Sequence, residues 1–201
     1  YAHQGHPCAL SLYAAKKLIK ALELHDFIDD FILEDATVFK LDKDYDIVIS
    51  ETMQSCLNNE PQVNIMQNLI PQMNKKAIFI PERISVDANL RKPGKWNDTQ
   101  TFIVGEELLF LKNIITIDKN SLDFIKSKVI VDIPYDLNGF RELLLYTTVY
   151  VYKDQVLGAN DCSLNLPIKF YDFSKRYANS IEFWYSASEK PRIECKVIDF
   201  V

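Results

Sequence analysis

The chain has 201 residues, 48% apolar and 25% charged, with a formal net charge of −5. That length carries one large or two small domains with a real core, in the composition of an ordinary globular protein. The acidic balance argues against a nucleic-acid surface, and no window approaches the roughly 20 uncharged apolar residues of a membrane helix.

The first ninety residues alternate helix-like and strand-like segments. Leu10, Ala14, Leu18, Ala21 and Leu22 recur at helical spacing, with Lys16, Lys17 and Lys20 off that stripe. Phe31-Ile32-Leu33 is a short apolar run ending at Glu34-Asp35, and Tyr45 to Ser50 is a second, β-branched one. Val63, Met66, Leu69, Ile70 and Met73 trace an amphipathic helix with Pro61 suited to its first turn. Ala77 to Ile80 reads as a strand stopped by Pro81. Such strand–helix–strand units predict a mainly parallel, Rossmann-like α/β sheet over residues 1–92.

The polar stretch Arg91-Lys92-Pro93-Gly94-Lys95 reads as a linker. Beyond it, β-branched and aromatic runs predict an all-β sandwich or barrel over 96–201. These runs are Thr101 to Val104, Ile114 to Ile117, Lys128 to Ile133, Leu143 to Tyr152, Ile181 to Tyr185 and Ile193 to Phe200. The only helix expected there is a short one at Ser121 to Ile125. Its aromatic residues read as core and cross-strand packing more readily than as a stacking platform for a sugar or peptide.

Ligands of open parallel sheets bind beyond the carboxyl ends of the strands. The first such end carries Asp35, which can accept a hydrogen bond from an exocyclic amine or simply serve a turn or helix cap. The second carries Ser50-Glu51, and Glu60 follows nine residues later. Two carboxylates on one loop match the donor fork of a guanidinium. The plainer reading is that Glu51 caps the loop and Glu60 favours the helix N-terminus after Pro61.

The stretches AAKKLIKALEL, FILEDATVF, YDIVISE and KAIFIPERISVDA resemble class I S-adenosylmethionine-dependent methyltransferases. More narrowly, YDIVISETMQSCLNNE is similar to the double-glutamate loop of protein arginine methyltransferases, in the spacing of Glu51, Met53 and Glu60. The resemblance implies that Asp35 and Ala36 meet the adenine of S-adenosylmethionine and that Glu51 also borders the cofactor. It implies that Glu51 and Glu60 are the catalytic pair and that Met53 and Glu60 face the substrate. The implied reaction moves a methyl group from sulfur to a nitrogen of a protein, peptide or small molecule, with homodimers usual for such enzymes.

The match is incomplete in two places. The cofactor's glycine-rich loop belongs upstream of the helix near Leu10, where Tyr1 to Ala9 holds only Gly5 and no acid. A complete cofactor pocket is therefore not expected from this sequence alone. The Thr-His-Trp element of arginine methyltransferases is also missing, since the last histidine is His25. A non-catalytic binding or assembly module with a degenerate methyltransferase fold is the second reading. Cys8, Cys56, Cys162 and Cys195 form no CxxC pair and read as reduced, buried thiols of a cytoplasmic protein. With His3, His6 and His25 they make no metal-ligand pattern, so no metal is expected.

Overall fold

In this computed structural model residues 9–92, 107–122 and 127–198 are described. Helix α1 (Ala9–Ala21) forms where the apolar spacing predicts it, with Lys20 in the last turn against the negative end of the helix dipole. Its apolar stripe has no cover among the described residues: nothing on α1 is buried, and Leu10 is 75% exposed. Phe31-Ile32-Leu33 does not form the expected strand. A strand needs a ladder partner, and no described segment runs beside these residues.

Strands β1 (Ile47–Ile49) and β2 (Ile78–Ile80) pair in parallel, Ile47 opposite Ile78. Between them lies helix α2 (Gln62–Leu69), which starts directly after Pro61 and buries Val63, Ile65, Met66 and Leu69. These two strands form a sheet of their own. The edge of β1 away from β2 is unpaired among the described residues, and Ile49 is 71% exposed there.

The rest is antiparallel. Its strands are β3 (Arg83–Arg91), β4 (Leu108–Asp118), β5 (Val129–Asp132), β6 (Glu142–Tyr152), β7 (Gln155–Leu157), β8 (Ile168–Asp172), β9 (Ser180–Ser186) and β10 (Arg192–Val197). One sheet runs β4-β3-β6-β7 with β8 also on β6, and the other runs β10-β9-β5. Strand β3, which the sequence reading left inside the α/β segment, pairs antiparallel with both β4 and β6. The reason is its period of two: Ile84, Val86, Ala88 and Leu90 are all fully buried on one face. The run Thr101 to Val104 lies outside the described residues. So does most of the expected helix at Ser121 to Ile125, of which only Ser121, in a turn, and Leu122, in a 3-10 helical conformation, are described.

Both halves share one core. Met53, Cys56, Leu57 and Met66 cluster with Val86, Leu143, Leu145, Ile181 and Phe183. The aromatic residues pack into the core: Phe170 of β8 meets Phe183 of β9, in the other sheet, edge-on at 5.7 Å, and Tyr171 lies 4.8 Å from Phe173 two residues further on. At the far end of β3, Arg91 sits opposite Glu142 of β6. Its Nε donates to Glu142 Oε2 at 2.8 Å, and both side chains are largely buried. Lys169 reaches the other oxygen of Glu142 at 3.2 Å from a more exposed position. No helix among the described residues is long and apolar enough to cross a membrane.

Removing one member of a buried ion pair costs far more than removing an exposed one. Glu142→Ala should therefore lower unfolding stability by about 3 kcal/mol, and Lys169→Ala by under ~1 kcal/mol, in urea titrations. Equal effects of the two substitutions would show that the Arg91 pair contributes nothing special.

Candidate functional site

The Ser50 N–H donates to the Ile80 carbonyl at 2.9 Å, extending the β1–β2 ladder by one bond before the chain turns into the loop 51–60. Glu51 is thus the first residue beyond the carboxyl end of β1. Both of its neighbours are held by one side chain. The Oε1 of the fully buried Gln62 accepts from Ser50 Oγ at 2.9 Å, from Thr52 Oγ1 at 2.7 Å and from the Thr52 N–H at 3.3 Å. Glu51 itself is exposed.

The loop then makes an unusual turn. Cys56 (φ 55°), Leu57 (φ 57°) and Asn59 (φ 61°) lie in the left-handed region. That conformation costs a non-glycine residue on the order of 1–2 kcal/mol, so it persists only where surrounding contacts impose it. Those contacts come from the β-rich half. The Cys56 N–H donates to Thr147 Oγ1 of β6 at 2.8 Å, Ser55 Oγ to the Ser163 carbonyl at 2.9 Å, and the Asn59 N–H to the Pro191 carbonyl at 2.7 Å. The turn brings Glu60 back, half-buried, with its Oε1 accepting from Gln54 Nε2 at 3.2 Å. No cation among the described residues forms an ion pair with Glu51 or Glu60. Two such carboxylates on one short loop can accept N–H donors from a cationic group.

Met53 lies elsewhere. Its side chain is buried in the shared core, where it anchors the loop instead of sharing a solvent face with Glu51. Asp35 uses one oxygen locally: Oδ1 accepts from the Thr37 N–H and from Thr37 Oγ1, both at 2.8 Å, which is the turn role. The segment from Ala36 to Leu41 is pinned to α2. Asn68 Nδ2 donates to the Ala36 and Phe39 carbonyls at 3.0 and 2.8 Å, and Gln72 Oε1 accepts from the Leu41 N–H at 3.1 Å. Both Asp35 and Ala36 are half-buried.

The described residues fit S-adenosylmethionine at one end. Asp35 Oδ2 has no partner among them, which leaves an acceptor for an amine. The glycines they include, Gly139 and Gly158, both belong to the β-rich half. No glycine-rich cradle for the ribose and amino-acid end is present among the described residues.

Sequence reasoning missed Gln62, Thr147, Asn68 and Gln72. Gln62 was legible as a polar residue one turn before Met66 on the buried stripe of α2. Thr147 was not, because a threonine in a β-branched run serves packing equally well. Of the described cysteines Cys56, Cys162 and Cys195, all free, only Cys56 is buried as expected. Burial pushes its thiol up to about 11, with the Thr147 hydroxyl pulling the other way.

No protein-family model and no curated protein matches this sequence. Among solved structures, the chain is similar to the Trypanosoma brucei PRMT1 enzyme–prozyme heterotetrameric complex with AdoHcy. There it is 14% identical with a TM-score of 0.62, covering 96% of this chain and 75% of that one. It is similar to PRMT6 at 11% identity and a TM-score of 0.57, covering 96% and 82%. It is also similar to Arabidopsis thaliana protein arginine methyltransferase 10 in an open conformation, at 13% identity and 0.54, covering 94% and 80%. The mixed α/β and antiparallel arrangement is therefore the fold of protein arginine methyltransferases, themselves class I S-adenosylmethionine-dependent methyltransferases.

Thr147→Val keeps the shape of the side chain but leaves the Cys56 N–H buried without an acceptor. Its expected cost is about 1–3 kcal/mol in urea unfolding, and no loss would mean that the hydrogen bond does not hold the turn. The Cys56 thiol should resist alkylation at pH 8 in the native protein, with Cys162 and Cys195 labelled first in peptide mass maps. Because its folded pKa is raised, Cys56 stabilises the fold fully below pH 9.0, and that contribution is lost as pH climbs toward about 11. Cys56→Ala should flatten the stability profile across that window.

Proposed function

We propose that this chain carries the substrate-holding part of an S-adenosylmethionine-dependent methyltransferase that transfers a methyl group to a nitrogen of a protein, peptide or small molecule. The observation that carries the reading is the Glu51–Glu60 loop. Its glutamates face outward at the carboxyl end of β1, while its back is bolted to β6 through a strained left-handed turn. Backbone strain of this kind, over-determined by contacts, is typical of binding and catalytic loops. The fold likeness supports the same reading.

In this account Glu51 and Glu60 bind a guanidinium or other cationic amine by charge-assisted hydrogen bonds and fix one nitrogen in line for attack. Drawing the positive charge toward the nitrogens they touch leaves the lone pair better developed on the attacking one. The cofactor, when bound, supplies an activated methyl on sulfur. Asp35 and Ala36 meet its adenine, Gln62 positions Glu51, and Met53 holds the loop. Residues 1–92 are the methyltransferase-like part and 96–201 the β-rich part, with β3 joining the latter by its pairing. Homodimer formation and a cytoplasmic setting for the free thiols belong to the same proposal.

A second reading is a non-catalytic binding or assembly module of the same fold. It is favoured by one observation, the lack of a glycine-rich cradle among the described residues. Calorimetric titration of S-adenosylhomocysteine into this chain, and into the same chain extended upstream in its native reading frame, separates the two. Binding in either form supports the methyltransferase, and binding in neither sinks it. In a form that binds, Glu51→Gln should change S-adenosylhomocysteine affinity less than about twofold while slowing transfer by roughly a hundredfold. Parallel losses of affinity and turnover would remove Glu51 from the substrate role.

A further inference from the structure

A cleft of about 400 Å³ runs along the flank of β2 that faces away from β1, and it shares no residue with the Glu51–Glu60 loop. Five cationic side chains line it. Lys75 and Lys76 come from the turn before β2, Arg83 from the start of β3, Lys119 from the turn after β4, and Lys153 from the β6–β7 turn. Two carboxylates are present, and each is committed to the backbone beside it. Glu82 accepts from the Lys153 N–H at 2.8 Å, and Asp118 from the Asn120 N–H at 2.7 Å. None of the five cations forms an ion pair with a carboxylate of the described residues. Arg83 instead lies 3.6 Å over the ring of Tyr150, and Lys153 lies 4.8 Å over Tyr152. In a protein of net charge −5 this is a local excess of positive charge, five cations against two carboxylates.

The backbone of β2 adds a second feature. The Ile78 N–H donates to the Asp46 carbonyl, and the Ile80 carbonyl accepts from Ser50, both at 2.9 Å. These bonds turn Ile78 and Ile80 toward β1. In a parallel ladder the intervening residue then points its N–H and C=O the other way. Phe79 therefore offers its main-chain groups to the cleft. Lys75 and Lys76 lie just before this strand and Arg83 just after it, so cations stand at both ends of an edge about 10 Å long. A single phosphate would gather them at one point.

We propose that this cleft binds an extended acidic peptide segment of a partner protein, laid along the edge of β2 that has no strand partner among the described residues, with its carboxylates on the flanking cations. Main-chain pairing with Phe79 supplies alignment, and the cations supply selectivity for acid. Binding here needs neither the cofactor nor the glutamate loop, so the proposal stands apart from the methyltransferase reading.

The test is fluorescence anisotropy of a labelled glutamate-rich octapeptide against the whole chain. Saturable binding is expected, weakening roughly tenfold between about 0.05 and about 0.3 M salt. The double substitution Lys75→Glu, Lys76→Glu should weaken it by a further factor of roughly ten. Lys40→Glu, at an exposed lysine outside the cleft, should leave it within about twofold. Circular dichroism spectra matching the parent would show that the variants are folded. Equal binding of a glutamine-for-glutamate peptide, or undiminished binding by the double variant, would overturn the proposal. So would pyrophosphate binding more tightly than the peptide with the same sensitivity to substitution, which would make the cleft a phosphate site.

Discussion

The hydrogen bond from the Cys56 backbone to the Thr147 hydroxyl ties the outer loop to the middle of β6, and the geometry of the candidate site hangs on it. Cys56 and Leu57 sit in a backbone region that L-residues avoid, closed locally by the Leu57 N–H donating to the Gln54 carbonyl at 3.0 Å. The compensation is long-range. Thr147 accepts from Cys56, and the Thr147 carbonyl accepts in turn from Asn165 Nδ2 at 2.7 Å. Asn165 also donates to the Leu157 carbonyl at 3.1 Å, while its Oδ1 takes the Cys162 thiol at 2.8 Å. A run of polar contacts thus crosses an otherwise apolar interior. Each member is satisfied by the next, so removing one leaves a desolvated group behind.

That arrangement divides the loop between two tasks. Met53, Cys56 and Leu57 point inward and join the core made by α2, β3, β6 and β9. Glu51 and Glu60 point outward at the two ends of the same ten residues. Burial of the inward side chains fixes where the outward ones emerge, so the separation of the carboxylates is set by packing more than by their own interactions. Gln62 completes the arrangement from below by holding Ser50 and Thr52, the residues on either side of Glu51. The backbone that carries the two carboxylates is thus held at both ends, at Ser50 and Thr52 by Gln62 and at Asn59 by the Pro191 carbonyl.

The loop between β1 and α2 was readable in the sequence because the β-branched run before it and Pro61 after it mark its ends by residue type. Helix α2 and the parallel pair were readable because 3.6-residue and β-branched patterns report burial directly. Strand β3 escaped that reading. Its alternation of Ile84, Val86, Ala88 and Leu90 follows so closely on β2 that it looks like the tail of the α/β segment, and only its partners reveal its sheet. Helix α1 shows the converse: its pattern is right, yet its apolar face meets nothing among the described residues. Periodicity states that a face must be covered and does not say by what. Thr147 and Gln62 belong to a third kind, residues whose role is a contact about 90 positions away or one atom wide, which no one-dimensional pattern encodes.

Among the described residues the two-stranded parallel sheet leaves two edges unpaired, and they are dressed in opposite ways. Unpaired strand edges invite association, and proteins either cover them or guard them with charge. The outer edge of β1 is apolar, with Ile47 and Ile49 both exposed. That surface loses free energy in water at roughly 25 cal/mol per Å², so it favours cover by another apolar element such as a further parallel strand. The edge of β2 is lined instead by lysine and arginine, which keep it soluble and reject indiscriminate strand addition. The same charges would admit one kind of strand, an acidic one. The two edges therefore differ in the neighbour they favour, since an apolar strand would leave the cations unmatched and an acidic one would leave Ile47 and Ile49 uncovered.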